Sequence, residues 1–168
     1  LSAIAVPKVE TATDVLTVKH ALYSVNLDHL NLWPMIETPA GVLNVRAIVQ
    51  ASDSINCLVM GTSDLAKELR LASNDQRLGL LFSLSQCVLA AREFGVDILD
   101  GVCLNLHDQS LLAQQAEQGK ALGFTGKTVI HPDQLLITNT AFGVNSEVLA
   151  EAQDILQAWR LAEQKGEG

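Results

Sequence analysis

Short apolar runs alternate along this chain with longer segments whose apolar residues recur at helical spacing. Residues 3–8 read as a strand and residues 11–21 as a helix, with Thr11 or Thr13 as its N-cap. A second strand over 32–36 leads into a helix over about 39–51, with Pro39 in its first turn, where a missing N–H breaks no helical bond. The third strand, 56–61, ends in a short helix near 64–70. A long helix then runs from about Arg77 to Phe94 and stops at Gly95. A fourth strand over 96–99 precedes a helix over 110–122 that Gly123 ends. A fifth strand over 128–130 precedes a helix over 132–140. Asn145 and Ser146 cap a last amphipathic helix reaching about Gln164. Its apolar positions, Val148, Leu149, Ile155, Trp159 and Leu161, fit a helix packed on a core or on a neighbouring subunit.

Strand-then-helix units in series require parallel strands joined by crossover helices, an α/β fold. The strands are continuously apolar, as expected when both faces are covered. An open doubly wound sheet and part of a closed barrel both fit this pattern. No GxGxxG or GxxxxGK[ST] loop follows any strand, which counts against a nucleotide-binding open sheet. In either architecture the site lies beyond the carboxyl ends of the strands. Those positions hold Lys8, Glu37, Asp64, Asp100 and His131 in turn. Asp64 could serve as a helix cap, whereas Glu37, followed by Pro39, points across the strand ends. Two carboxylates on adjacent strands suit a hard divalent cation. Mg²⁺ is the expected one, because it takes one or two protein carboxylates and fills its other positions with water and substrate oxygens.

Composition narrows the partners. Apolar residues make up 48% of 168 residues, so a folded core is expected. A net charge of −8 argues against nucleic acid and anionic membrane as partners. No apolar run is long enough to span a bilayer, and no basic-then-apolar leader is present, so a cytoplasmic location is expected. The chain opens at Leu1 within an apolar stretch, as a fragment or processed product would. The three cysteines, Cys57, Cys87 and Cys103, lack CxxC spacing and read as reduced core residues. His20, His29 and His107 have no spaced partner and are expected at the surface. Trp33 and Trp159 are expected to pack.

Five segments occur in a specific order: Val6-Pro-Lys-Val-Glu10 with Asp14, Met35-Ile-Glu-Thr-Pro-Ala-Gly41, Gly61-Thr-Ser-Asp-Leu65, Leu99-Asp-Gly-Val102 and Gly123-Phe-Thr-Gly-Lys-Thr-Val-Ile-His-Pro132. Together they resemble the later part of the HpcH/HpaI aldolase and citrate lyase superfamily, on the branch of citrate lyase β-subunits, malyl-CoA lyases and citramalyl-CoA lyases. The resemblance covers nearly the whole chain. It implies the C-terminal part, about five β/α units, of a TIM (β/α)₈ barrel plus a C-terminal helix. It further implies one partial domain over 1–168, lacking the family's first three strands, the arginine on the third, and its C-terminal extension.

By the same resemblance Glu37 and Asp64 hold Mg²⁺, and the metal holds a 2-keto acid. Lys8 is expected to face the substrate, with a buried salt bridge to Glu10 or Glu37 as the structural alternative. Pro39, Gly61 and His131 are expected against the substrate, although His131 could simply cap the next helix. Asp100 is expected to pair across the barrel end. The implied chemistry is carbon–carbon cleavage, or formation, of a 3-hydroxyacyl thioester carried on CoA or an acyl-carrier protein, in a homo-oligomer. Where relatives carry Ala-Arg-Ser in the long helix, this chain has Ser83-Leu84-Ser85, which puts the usual contact there in doubt. A pyruvate-type aldolase fits less well with the long stretch 80–91. A half-barrel leaves two raw sheet edges, so a non-catalytic assembly or binding module is the alternative.

Overall fold

The computed structural model describes residues 1–72, 76–144 and 146–165. Five strands form one sheet: β1 (Ala3–Val6), β2 (Asn31–Ile36), β3 (Cys57–Met60), β4 (Asp97–Asp100) and β5 (Gly126–Lys127). Every neighbouring pair is parallel and the spatial order follows the chain order, β1-β2-β3-β4-β5. A doubly wound sheet reverses its strand order at a switch point, and a barrel does not. The sequential order therefore settles what periodicity left open: the fold is the later part of a (β/α)₈ barrel.

Seven α-helices accompany the described strands: α1 (Ala12–Ser24), α2 (Pro39–Gln50), α3 (Thr62–Glu68), α4 (Leu81–Glu93), α5 (Gln109–Leu122), α6 (Leu135–Phe142) and α7 (Ser146–Lys165). The start of α1 is set by a capping box in which Thr11 and Asp14 each accept from the other's backbone N–H. Thr38 caps α2 through the N–H of Gly41, and Asp108 caps α5 through that of Leu111. The core lies between the sheet and these helices, where Leu32 and Ile36 of β2, Leu58 and Met60 of β3 and Ile98 of β4 meet Val45, Ile48 and Leu84. Leu84, in the Ser83-Leu84-Ser85 stretch of α4, is fully buried and serves as a core residue.

Four expectations are revised. The fifth strand is Gly126–Lys127, not 128–130, because pairing with Leu99 and Asp100 reaches only those two residues. Gly126 permits that approach: a Cβ there would lie 2.9 Å from Leu99 Cδ2. The long helix begins at Leu81 after a 3₁₀ turn over Leu78–Leu80, and Arg77 is left-handed (φ 53°) rather than helical. A 3₁₀ turn over Pro132–Gln134 likewise precedes α6. Finally, α7 turns its apolar residues to solvent, Trp159 being 66% exposed, so of the two expected partners the core of the described residues is not the one this helix packs on. The cap expected at Asn145 lies outside the described residues.

His20, His29 and His107 are exposed, as expected. No described helix is long and apolar enough to cross a membrane. The cysteines are free and buried. Burial pushes the Cys57 and Cys87 thiols up from 9.0 to about 12. At pH 8 only about 1 in 10⁴ of each is thiolate, so native Cys57 and Cys87 are expected to resist iodoacetamide and to alkylate promptly in denaturant. Mass mapping of the labelled peptides checks this, and fast native labelling of Cys87 would contradict it. Because the folded pKa exceeds the unfolded one, the stability these buried thiols contribute is full below 9.0 and is lost as pH rises toward about 12.

Candidate functional site

Alternation along β2 sets the direction of Glu37. Leu32, Pro34 and Ile36 are buried under the helices, so Asn31, Trp33 and Met35 take the opposite face, that of the barrel interior. Glu37 continues this second set one residue beyond the strand. Thr38 then caps α2, with Pro39 at its first position. Glu37 is 5% exposed, and its Oε1 accepts the backbone N–H of Lys8 at 2.8 Å. Its other flank rests on Gly61, where an added Cβ would run into the Glu37 Cβ and lie 2.5 Å from Oε2. Glycine is needed at 61 to make room for the carboxylate.

Asp64 comes from the neighbouring strand end. It sits in the first turn of α3, whose N-cap is Gly61 and which has no side-chain capping bond. The capping alternative for Asp64 is therefore not what the structure holds. Its carboxylate is exposed, and no hydrogen bond to it is made among the described residues. Glu37 and Asp64 line one cleft of about 210 Å³, together with Met35, Met60, Gly61, Thr62, Ser63, Val102 and Thr128. No cluster of three or more metal-ligating side chains occurs among the described residues. Two carboxylates facing an open cleft nonetheless match Mg²⁺, which keeps several positions for water and substrate oxygens. A larger cavity of about 370 Å³ shares Thr62, Ser63 and Val102 with this cleft but has no carboxylate in its wall.

The other candidates stand differently. The Lys8 side chain is exposed and outside the cleft wall, and it makes no ion pair with Glu10 or Glu37 among the described residues. Its left-handed backbone (φ 51°) meets the site through the N–H alone. Pro39 is half-buried and starts α2 without lining the cleft. His131 is exposed, and its Nδ1 accepts the N–H of Asp133 at 3.2 Å, which is the capping role. Gly61 lines the cleft.

Asp100 is fully buried and does pair across the strand ends. Both its oxygens meet Arg77 Nη1 at 2.8 and 2.9 Å, and Lys127 Nζ lies 3.0 Å from Oδ2. Arg77 also donates to Gln118 and to the Gln115 carbonyl, and Lys127 to the Gly101 carbonyl. Burial holds the Lys127 ammonium below its usual 10.5, while attraction to Asp100 opposes that shift. Neither cation stands out in the sequence: its pattern puts Arg77 at the start of a helix and His131 at the end of the fifth strand, whereas that strand stops at Lys127. With the strand placed correctly, the same strand-end rule selects Lys127.

The HpcH/HpaI aldolase/citrate lyase family model matches residues 1–132. A (3S)-malyl-CoA thioesterase of Cereibacter sphaeroides is 41% identical over 98% of this chain and 56% of its own length. A citrate lyase subunit beta-like protein of Deinococcus radiodurans is 35% identical over 100% of this chain and 58% of its own. The CitE protein of Mycobacterium tuberculosis, solved with magnesium, acetoacetate and coenzyme A, superposes with a TM-score of 0.71 at 28% identity, covering 95% of this chain and 58% of its own. This chain thus spans little more than half the length of the curated relatives it matches. The strand order, the two carboxylates at adjacent strand ends and the match over residues 1–132 agree, and the chain belongs to the HpcH/HpaI aldolase/citrate lyase family.

Proposed function

We propose that the protein carrying this chain is a Mg²⁺-dependent carbon–carbon lyase. It cleaves, or forms, a 3-hydroxyacyl thioester of the malyl, citramalyl or citryl type, giving an acyl thioester and a 2-keto acid. The observation that carries this reading is the pair Glu37 and Asp64, on adjacent strand ends in one cleft. When bound, Mg²⁺ would polarise the substrate oxygen that becomes the keto group. The chain's own part is orientation. The Lys8 N–H and Gly61 hold the Glu37 carboxylate, and α3 presents that of Asp64. Met35, Met60 and Val102 give the cleft an apolar wall beside the two carboxylates. Relatives act on acyl-CoA thioesters, which supports CoA as the carrier over an acyl-carrier protein. The remaining barrel strands, the base and an arginine for the substrate carboxylate would come from the rest of the protein or from a neighbouring copy in a homo-oligomer.

The thioesterase name of the Cereibacter relative favours a second reading, hydrolysis of the same class of thioester. One assay separates the two. Malyl-CoA and citramalyl-CoA are incubated with the protein and Mg²⁺, and 2-keto acid and free thiol are followed together. Keto acid released without thiol supports the lyase. Thiol without keto acid replaces it with hydrolysis, and neither product leaves the alternative of a binding module.

A further inference from the structure

We infer that Gly101 is a positioning residue for the carboxylate of Asp64: its backbone is the stop against which the first turn of α3 is set. Asp64 has no hydrogen bond to its side chain among the described residues, so its carboxylate goes where α3 takes it. This rests on the metal reading of Glu37 and Asp64.

Thr62, the first residue of α3, is buried against Gly101 and stands in the wall of both the cleft and the larger cavity. A Cβ on residue 101 would overlap Thr62 Oγ1 and lie 2.7 Å from its Cγ2 and 2.8 Å from its Cβ. Turning the Thr62 side chain to another rotamer moves Oγ1 and Cγ2 but leaves Cβ in place. The last overlap is therefore relieved only when one of the two backbones moves.

Gly101 is the side that stays. Its N–H donates to Asp100 Oδ1 at 2.8 Å and its carbonyl accepts from Lys127 Nζ, while Asp100 is itself locked between Arg77 and Lys127. Helix α3 is the side that yields, being seven residues long with no side-chain cap. Its anchors are the Gly61 N–H on the Ile36 carbonyl at 3.0 Å and the fully buried Leu65. A push at Thr62 displaces the turn between those anchors, and that turn carries Asp64. Glu37 is held from another direction by the Lys8 N–H. The buried Arg77–Asp100–Lys127 cluster thus bears on the metal site without touching it, through Gly101 and Thr62.

Isothermal titration of Mg²⁺ into the purified protein tests this without turnover. Gly101→Ala is expected to weaken Mg²⁺ binding roughly tenfold, the lower end of what altering contacts one shell out from a metal costs. In an Asp64→Asn background the same change is expected to cost less than about twofold, because the carboxylate it displaces is already gone. A glycine needed only for packing would lower stability to urea equally in both backgrounds and leave the affinity of the folded protein unmoved. Adding Thr62→Gly to Gly101→Ala removes the obstructing Cβ and is expected to return affinity to that of Thr62→Gly alone. Thr62→Val puts a larger methyl where the hydroxyl meets Gly101, presses the contact more gently, and carries the test if Gly101→Ala does not fold. It is expected to weaken Mg²⁺ binding severalfold, again only while Asp64 is present. Wild-type affinity in folded Gly101→Ala and Thr62→Val, or a loss undiminished by Asp64→Asn, would overturn the inference and leave the metal reading standing. Absence of Mg²⁺ binding by the wild type would remove the metal reading, and this inference with it.

Discussion

Glu37→Gln is expected to lower Mg²⁺-dependent turnover by about 100-fold or more, since altering groups one shell out from a metal already costs about 10–100-fold in affinity or activity. The substitution keeps the shape and the acceptor for the Lys8 N–H but removes the charge that faces the cation. Stability should therefore change little while Mg²⁺ affinity falls, a split that urea denaturation and metal titration resolve. Asp64→Asn is expected to act in the same direction with even less effect on folding, because its side chain is exposed and uncapped. Full activity in Glu37→Gln would refute the metal reading. Equal losses of stability and affinity would mean that Glu37 is chiefly a structural acceptor.

Asp100→Asn is expected to be the most destabilising of the substitutions considered. It leaves Arg77 and Lys127 buried without their shared anion, and breaking a buried pair from one side costs about 3–5 kcal/mol. For a domain of this size that corresponds to a fall in Tm of roughly 10 °C. Lys127→Met, which leaves the Arg77–Asp100 pair intact, is expected to cost clearly less. The pH dependence gives an independent check. Lys127 is already held below 10.5 by burial, and losing Asp100 removes the attraction that resists this. A lysine whose folded pKa lies below its unfolded one binds more protons unfolded, so stability rises with pH up to the unfolded value. Asp100→Asn should therefore regain stability relative to wild type as pH rises toward the unfolded lysine value of 10.5. Denaturation of both proteins across a pH series checks this. An Asp100→Asn protein as stable as Lys127→Met would show that the cluster is not held by its central carboxylate.

Much of this molecule is legible along the chain because the signals are local. Periodicity and turn residues locate β1 to β4 and α1 to α6 to within a few residues, since each depends on a stripe of apolar positions and a cap within one turn. Glu37 and Asp64 are equally readable, because Glu37 directly follows β2, Asp64 lies in the first helical turn after β3, and the strand ends of a parallel sheet share one face. Their setting is not. Gly61 matters because Glu37 lies against it from 24 positions away, and Gly101 because Thr62 does, contacts that no local pattern records.

Residue order and spacing are enough to define a β/α chain of a particular family with two carboxylates near neighbouring strand ends. The remaining features depend on which segments meet in space. The choice between barrel and open sheet depends on which strands pair, and β5 ends at Lys127 because its partner β4 does. Arg77, Asp100 and Lys127 become one unit only when three separate segments converge, where burial makes each charge depend on the others. The exposed apolar side of α7 is the converse case. Amphipathic spacing announces that a face is to be covered, but what covers it is not written in the helix, and the described residues of this chain do not do so.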